Sequence, residues 1–224
     1  MSNVLLSVLY RDNVMIAVIV SAVTGYLIGC INLSYLIAKA RGFDIREHGS
    51  GNAGASNVII TVGKKAGAFV AIFDVFKAFF AIKLMTALFP VVFLVGAITG
   101  VAVILGHIFP FYMGFKGGKG ILVTFAAMLA INWIAGVVPF IIFAIVVAIT
   151  RYVSLGSIIA ATVYPFAVLV FSLMQGDSAS WISFAFAAVI GAMLIFMHRA
   201  NIQRLINHTE KKLGQKSGEN EAAK

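Results

Sequence analysis

The sequence predicts an all-α membrane protein, a polytopic helical bundle of seven transmembrane helices. Three observations carry that reading. Of 224 residues, 61% are hydrophobic and only 11% charged, with a mean hydropathy of +1.02, whereas soluble domains carry roughly 25% charged residues. Apolar runs long enough for a hydrocarbon core of ~30 Å begin near Val14, Ala66, Val91, Gly120, Leu155 and Trp181. Basic residues, finally, alternate between the connections.

The first run, Val14 to Ala38, is too long for a cleavable signal and reads as one retained helix. Lys39, Arg41, Arg46, Lys64 and Lys65 follow it; Lys116 and Lys119, Arg151, and the residues beyond His198 supply the other basic connections. The alternate connections, around Pro90, Asn132 with Trp133, and Asp177, are nearly bare of basic residues. The positive-inside rule makes the basic set cytoplasmic.

That rule also divides the fourth run. Gly120 to Ala148 would form a helix of about 43 Å at 1.5 Å per residue, too long for one ordinary span. A break at Asn132 and Trp133 restores the alternation and leaves Gly120 to Ile131 as a discontinuous helix of about 18 Å. Seven spans result, with the N-terminus outside and the C-terminus cytoplasmic. Residues 1–213 form a single integral-membrane domain, and the polar stretch 214–224 reads as a disordered cytoplasmic tail. Cys30 is the one cysteine and can form no disulfide within the chain. The net charge of +9 is read as orientation and contact with anionic membrane lipid. Nucleic-acid binding lacks an aromatic-and-basic platform.

Polar and glycine-rich residues gather on the basic side. The first cluster runs from Asp44 to Asn57, with Arg46, Gly49, Ser50, Gly51, Asn52, Gly54 and Asn57. Its glycines allow close backbone approach, and Arg46 can grip phosphate with paired N–H donors; an ordinary turn uses the same residues. The spelling Gly49-x-Gly51-x-x-Gly54 is no dinucleotide fingerprint, because a membrane helix and not a strand precedes it.

The second cluster is Gly106-His107-Ile108-Phe109-Pro110 with Lys116-Gly117-Gly118-Lys119-Gly120. It is not a Walker A loop, since Met113 and Gly120 stand where Gly and Ser or Thr are required. Two lysines among glycines at a helix start nonetheless suit an anion; lysines at a boundary also simply hold topology. Ser154 and Ser157 share a helix face, as catalytic hydroxyls or as a cap and a packing residue. The segment His198-Arg199-Ala200-Asn201 adds donors, or is an interfacial basic helix. Asp74 and Lys77, one turn apart inside an apolar run, read as a structural ion pair. These clusters call for no metal and no cofactor.

Together Gly49–Asn57, Gly106–Pro110, Lys116–Gly120, Ser154–Ser157 and His198–Ile202 resemble the bacterial acyl-phosphate:glycerol-3-phosphate acyltransferase family, in order and spacing over nearly the whole chain. The resemblance implies transfer of a fatty acyl group from acyl phosphate to the 1-hydroxyl of sn-glycerol 3-phosphate, giving lysophosphatidic acid and phosphate, the first step of phospholipid synthesis. It implies a multi-pass enzyme of the bacterial cytoplasmic (inner) membrane with its active face cytoplasmic, functionally coupled to the enzyme that makes acyl phosphate. Carried across by position, Arg46, Ser50, Gly51, Asn52 and Asn57 hold phosphate; Lys116, Gly117, Gly118, Lys119 and Gly120 hold the other anion; Ser154, His198 and Asn201 position the reacting groups. Where family members often read Gly-Ser-x-Pro, this chain has Gly29-Cys30-Ile31-Asn32, and Ser34 is the substitute.

An acyl phosphate is already activated, so the task reduces to placing two anions and stabilising an oxyanion. A donor phosphate oxygen is the expected proton acceptor, with His107 or His198 as the rival base. The His-x4-Asp motif of acyl-CoA-dependent enzymes is absent: the positions after His48, His107, His198 and His208 are Ala53, Tyr112, Gln203 and Leu213. A transporter of organic phosphate would have to expose polar groups along a path through the membrane, yet the outer connections hold almost none.

Overall fold

The computed structural model describes residues 2–92, 94–177 and 179–213, with side chains from residue 13 onward. The tail expected to be disordered, 214–224, lies outside the described residues. Ten α-helices and no strand occur among those described: α1 (Ser2–Cys30), α2 (Leu33–Lys39), α3 (Ala55–Thr61), α4 (Lys64–Leu88), α5 (Val95–Ile108), α6 (Ile121–Ile131), α7 (Trp133–Thr150), α8 (Val153–Met174), α9 (Ser180–Met197) and α10 (Arg199–Ile206). Two 3-10 turns, Ile45–Glu47 and Phe111–Met113, lie in the polar clusters.

Five helical segments are long and apolar enough to cross a membrane: Asn13–Lys39, Val95–Met113, Trp133–Thr150, Val153–Met174 and Ser180–Met197. Helix α4 has 25 residues but carries Asp74, Lys77 and Lys83, and α6 has only 11. Large apolar side chains such as Ile72, Phe76, Ile149, Phe166 and Val189 face outward, a surface suited to lipid tails and not to water.

The chain separates into two compact units, residues 1–133 and 134–224. In the first, α1 packs on α5, and α4 packs on α5 and α6. Small residues make this possible: a methyl group at Gly29 would overlap the Val103 carbonyl, and one at Gly106 would overlap the Tyr26 carbonyl. Lipid offers no hydrophobic drive between helices, so such close backbone approach supplies the packing energy. In the second unit α9 lies on α8, where Gly191 faces the Ala161 carbonyl, and Gly156 of α8 receives Phe143 and Val147 of α7.

The fourth apolar run does break where the charge pattern requires. Helix α6 ends at Ile131, Asn132 is extended (φ −147°, ψ 99°), and α7 starts at Trp133. The first run departs from expectation, because the continuous helix read over Val14 to Ala38 is interrupted at Ile31 and Asn32. Asn32 caps α2, its Oδ1 accepting from Tyr35 N at 3.0 Å. The groups freed by the break find partners elsewhere: the Tyr112 hydroxyl donates to Cys30 O and accepts from Asn32 N, and Lys77 Nζ donates to Ile31 O at 2.7 Å. An interrupted helix survives in a membrane because these groups are satisfied.

Candidate active site

The first polar cluster is a loop organised from inside by one amide. Asn57 is fully buried; its Nδ2 donates to Ile45 O and His48 O, each at 2.9 Å, and its Oδ1 accepts from Ser50 N at 2.8 Å. The chain can double back there because Gly49 and Gly51 adopt φ of +60° and +72°, open to glycine at little cost. Ser50 is left exposed and Asn52 half-buried on the loop. Asn57 is thus spent on the loop backbone, whose shape it sets.

Arg46 is committed in part as well. Its Nε and Nη2 donate to Asp44 Oδ1 and Oδ2 at 2.9 and 2.7 Å, and its Nη1 donates to Met113 O at 2.6 Å. These hydrogen bonds from Arg46 hold the Asp44 carboxyl well below the usual carboxylate range and push the guanidinium up in turn. Three of five N–H groups are thereby occupied by described residues, which leaves two. Sequence reasoning did not find Asp44 as the partner, although its place two residues before Arg46 was the available signal.

The second cluster closes against the first. Gly117 N and Gly118 N donate back to Ile108 O and His107 O at 2.8 and 3.1 Å. Their amides are therefore not anion donors. A methyl group at Gly118 would overlap His107 Nε2 and stand 3.0 Å from the Ala53 carbonyl, which places the two glycine-rich clusters against each other at that point. Asn32 Nδ2 donates to the same carbonyl at 3.1 Å. Gly120, with φ +81°, turns the chain into α6. The first bond within that helix is Thr124 N to Gly120 O, so the N–H groups of its opening turn have no partner inside the helix, and the half-buried Lys119 stands beside them. Lys116 is exposed.

Beneath this loop lies a charged cluster among apolar helices. Asp74 and Lys77 do pair, Oδ1 to Nζ at 2.8 Å, both almost fully buried. Lys77 Nζ also contacts His107 Nδ1 at 3.0 Å. Ser34, 1% exposed, has an Oγ that no described residue hydrogen-bonds.

In the second unit, α8, α9 and α10 hold the remaining candidates. Asn201 Nδ2 donates to Glu210 Oε1 at 2.7 Å, and Arg204 Nε to Oε2 at 2.6 Å. Burial opposes ionisation of Glu210, but the polar groups around it, Ser154, Asn201 and Arg204, outweigh it and hold the carboxyl below its ordinary range. The Ser154 hydroxyl is buried near that charge, and no described residue makes a hydrogen bond of good geometry to it. His198 is 1% exposed, and its Nδ1 donates to Leu194 O at 2.8 Å, which leaves the lone pair of a neutral ring on Nε2. Ser157 donates to Val153 O, a helix-internal bond that matches its packing role. Sequence reasoning missed Glu210; an acid isolated among basic residues of the C-terminal segment was the only hint.

Comparison with known proteins gives the chain its family. Residues 19–208 match the profile of the glycerol-3-phosphate acyltransferase family. The glycerol-3-phosphate acyltransferase of Clostridioides difficile (strain 630) is 42% identical over 203 residues, covering 88% of this chain and 96% of that protein. Glycerol-3-phosphate acyltransferase 2 of Thermotoga maritima is 38% identical over 192 residues, covering 85% and 94%. Among solved structures, the integral membrane glycerol 3-phosphate acyltransferase PlsY (YgiH) in its glycerol 3-phosphate form is similar with a TM-score of 0.76 at 34% identity, covering 88% of this chain and 96% of that one. Its lysophosphatidic acid form gives a TM-score of 0.74 at 33% identity. Family profile, relatives and fold point the same way: the chain belongs to the glycerol-3-phosphate acyltransferase family of integral membrane enzymes, which serve phospholipid synthesis.

Proposed function

We propose that this enzyme transfers a fatty acyl group from acyl phosphate to the 1-hydroxyl of sn-glycerol 3-phosphate, releasing lysophosphatidic acid and phosphate. The observation that carries the reading is the meeting of two glycine-rich, basic loops at Gly118 and Ala53, on helices whose outer faces are apolar. Both substrates carry phosphate and one carries a long acyl chain, so basic loops at the edge of lipid match their chemistry. The structures of PlsY in glycerol 3-phosphate and lysophosphatidic acid forms support the same acceptor and product.

In this mechanism Arg46, with Ser50, Gly51 and Asn52, holds one phosphate, and Lys119 with the opening turn of α6 holds the other. Lys116 adds a field at the headgroups, and Asn57 shapes the first loop. Ser154, His198 and Asn201 orient reacting groups. The acceptor hydroxyl attacks the acyl carbon, the bond from that carbon to the bridging oxygen breaks, and phosphate departs with the electron pair. A phosphate oxygen of the donor takes the hydroxyl proton, so no covalent enzyme intermediate is formed. No metal or cofactor is used.

The five apolar segments, α4 and the short α6 give seven crossings, with the N-terminus outside and both loops on the cytoplasmic face of a bacterial inner membrane. Residues 1–213 act as one integral-membrane domain. Supply of the acyl phosphate by the enzyme that makes it couples the two reactions. The test is direct: purified protein in lipid nanodiscs, given glycerol 3-phosphate and palmitoyl phosphate, forms lysophosphatidic acid on mass spectrometry. Failure to form it removes the proposal.

A further inference from the structure

Helix α4 buries two charges that the acyl-transfer mechanism leaves unused. Lys77 Nζ has three neighbours with lone pairs: Ile31 O at 2.7 Å, Asp74 Oδ1 at 2.8 Å and His107 Nδ1 at 3.0 Å. Geometry ranks them. The directed hydrogen bonds run to Ile31 O and His107 Nδ1, while no described residue makes a directed bond to Asp74 Oδ1, which acts as the counter-charge. A buried ammonium requires such a counter-charge. Asp74 Oδ1 is 3.6 Å from His107 Nδ1, too far for a hydrogen bond, so Lys77 and not Asp74 determines the state of the ring.

An ammonium has three hydrogens and no lone pair. Facing it, Nδ1 must be the acceptor, and the proton of a neutral imidazole then sits on Nε2. That nitrogen lies against Gly118, where any side chain would overlap it, beside the Ala53 carbonyl. His107 is 4% exposed, and no described residue hydrogen-bonds its Nε2. His198 shows the opposite arrangement, with Nδ1 donating to Leu194 O.

We propose that Lys77, backed by Asp74, is a positioning residue that holds His107 as its Nε2–H tautomer, so that His107 meets a phosphate in the Gly117–Gly120 loop as a hydrogen-bond donor and not as a base. This rests on the reading of that loop as an anion site. It gives the two buried charges of α4 a use: Lys77 closes the break after Cys30 and orients the ring with one ammonium. It also removes His107 from the candidates for proton acceptor, since the nitrogen that faces the loop already carries its proton.

Two experiments test it. In protein labelled with 15N-histidine, with His107 assigned by loss of its signals in His107→Gln, the ring shows a protonated Nε2 and an unprotonated Nδ1 at pH 7. A proton on Nδ1 overturns the proposal. In turnover, glutamine places an amide N–H near the former Nε2, whereas asparagine does not reach. His107→Gln therefore stays within a few-fold of wild type, while His107→Asn and the double substitution Lys77→Met with Asp74→Asn each fall by about tenfold or more, the cost of one charge-assisted contact. Equal losses in His107→Gln and His107→Asn, at equal expression and thermal stability, overturn it as well. The tautomer measurement needs no substrate, so a wild type without acyltransferase activity defeats the proposed function and leaves the tautomer standing. An active wild type with the reversed tautomer defeats this inference alone.

Discussion

Arg46 and Met113 stand 67 positions apart, and the Arg46 guanidinium donates to the Met113 carbonyl at 2.6 Å. One side chain thus ties the first glycine-rich loop to the second while its other edge is clamped by Asp44. Lysine keeps the charge but cannot serve both Asp44 oxygens and that carbonyl from a fixed fork. Arg46→Lys is expected to lower kcat/KM by roughly ten- to a hundredfold, the equivalent of about 1.5–3 kcal/mol for a charged hydrogen bond, and to lower Tm. Near wild-type turnover with unchanged Tm would make Arg46 an orientation charge only.

Asp44 sets an acid limit on the first loop. Its folded-state carboxyl titrates below the unfolded one, so its contribution to stability is present above the ordinary carboxylate range, near pH 4, and is lost as pH falls towards the folded value. Asp44→Asn should lower Tm at pH 7, and the difference from wild type should shrink as pH drops below about 4. A gap that holds constant down to the acid limit would mean the carboxylate charge is irrelevant and only the side chain's shape matters.

Lys119 and Lys116 carry the same charge on the same loop, but Lys119 is half-buried at the opening of α6 and Lys116 is exposed. Lys119→Met is expected to reduce kcat/KM by about ten- to a hundredfold, as loss of a charge-assisted contact to a bound anion does. Lys116→Met should stay within a few-fold at equal expression. Equal losses would point to a diffuse basic field, and added salt would then weaken the wild type in the same way.

Orientation is tested by thiol labelling in a Cys30→Ala background. A cysteine at the exposed Gln175, between α8 and α9, should react with an impermeant reagent applied to intact cells, and one at the exposed Lys211 should not. The reverse pattern would turn the basic loops outward and remove the cytoplasmic face from the mechanism.

Much of the fold was legible because membrane helices announce themselves by length and charge. The break at Asn132 followed from the length of its apolar run and the alternation of basic residues, and the Asp74 and Lys77 pair followed from helical spacing. The break at Ile31 was not legible, since Asn32 sits in an apolar run whose interruption depends on Tyr112 and Lys77, distant in sequence. The glycine-rich loops were found, but the distribution of their donors was not. Gly117, Gly118 and Asn57 looked like ligand groups and spend their hydrogen bonds on the backbone. Asp44 was read only as the start of its cluster, and Glu210 not at all, because an acid looks out of place in an anion site; each instead orients the arginine or asparagine beside it.

Donor choice tests most directly whether the acyl group comes from an acyl phosphate. Purified protein is given sn-glycerol 3-phosphate with palmitoyl phosphate in one reaction and palmitoyl-CoA in another, and lysophosphatidic acid and free phosphate are followed together. Product is expected with palmitoyl phosphate, one phosphate released for each lysophosphatidic acid formed, and none with the thioester. Turnover with palmitoyl-CoA alone would contradict it.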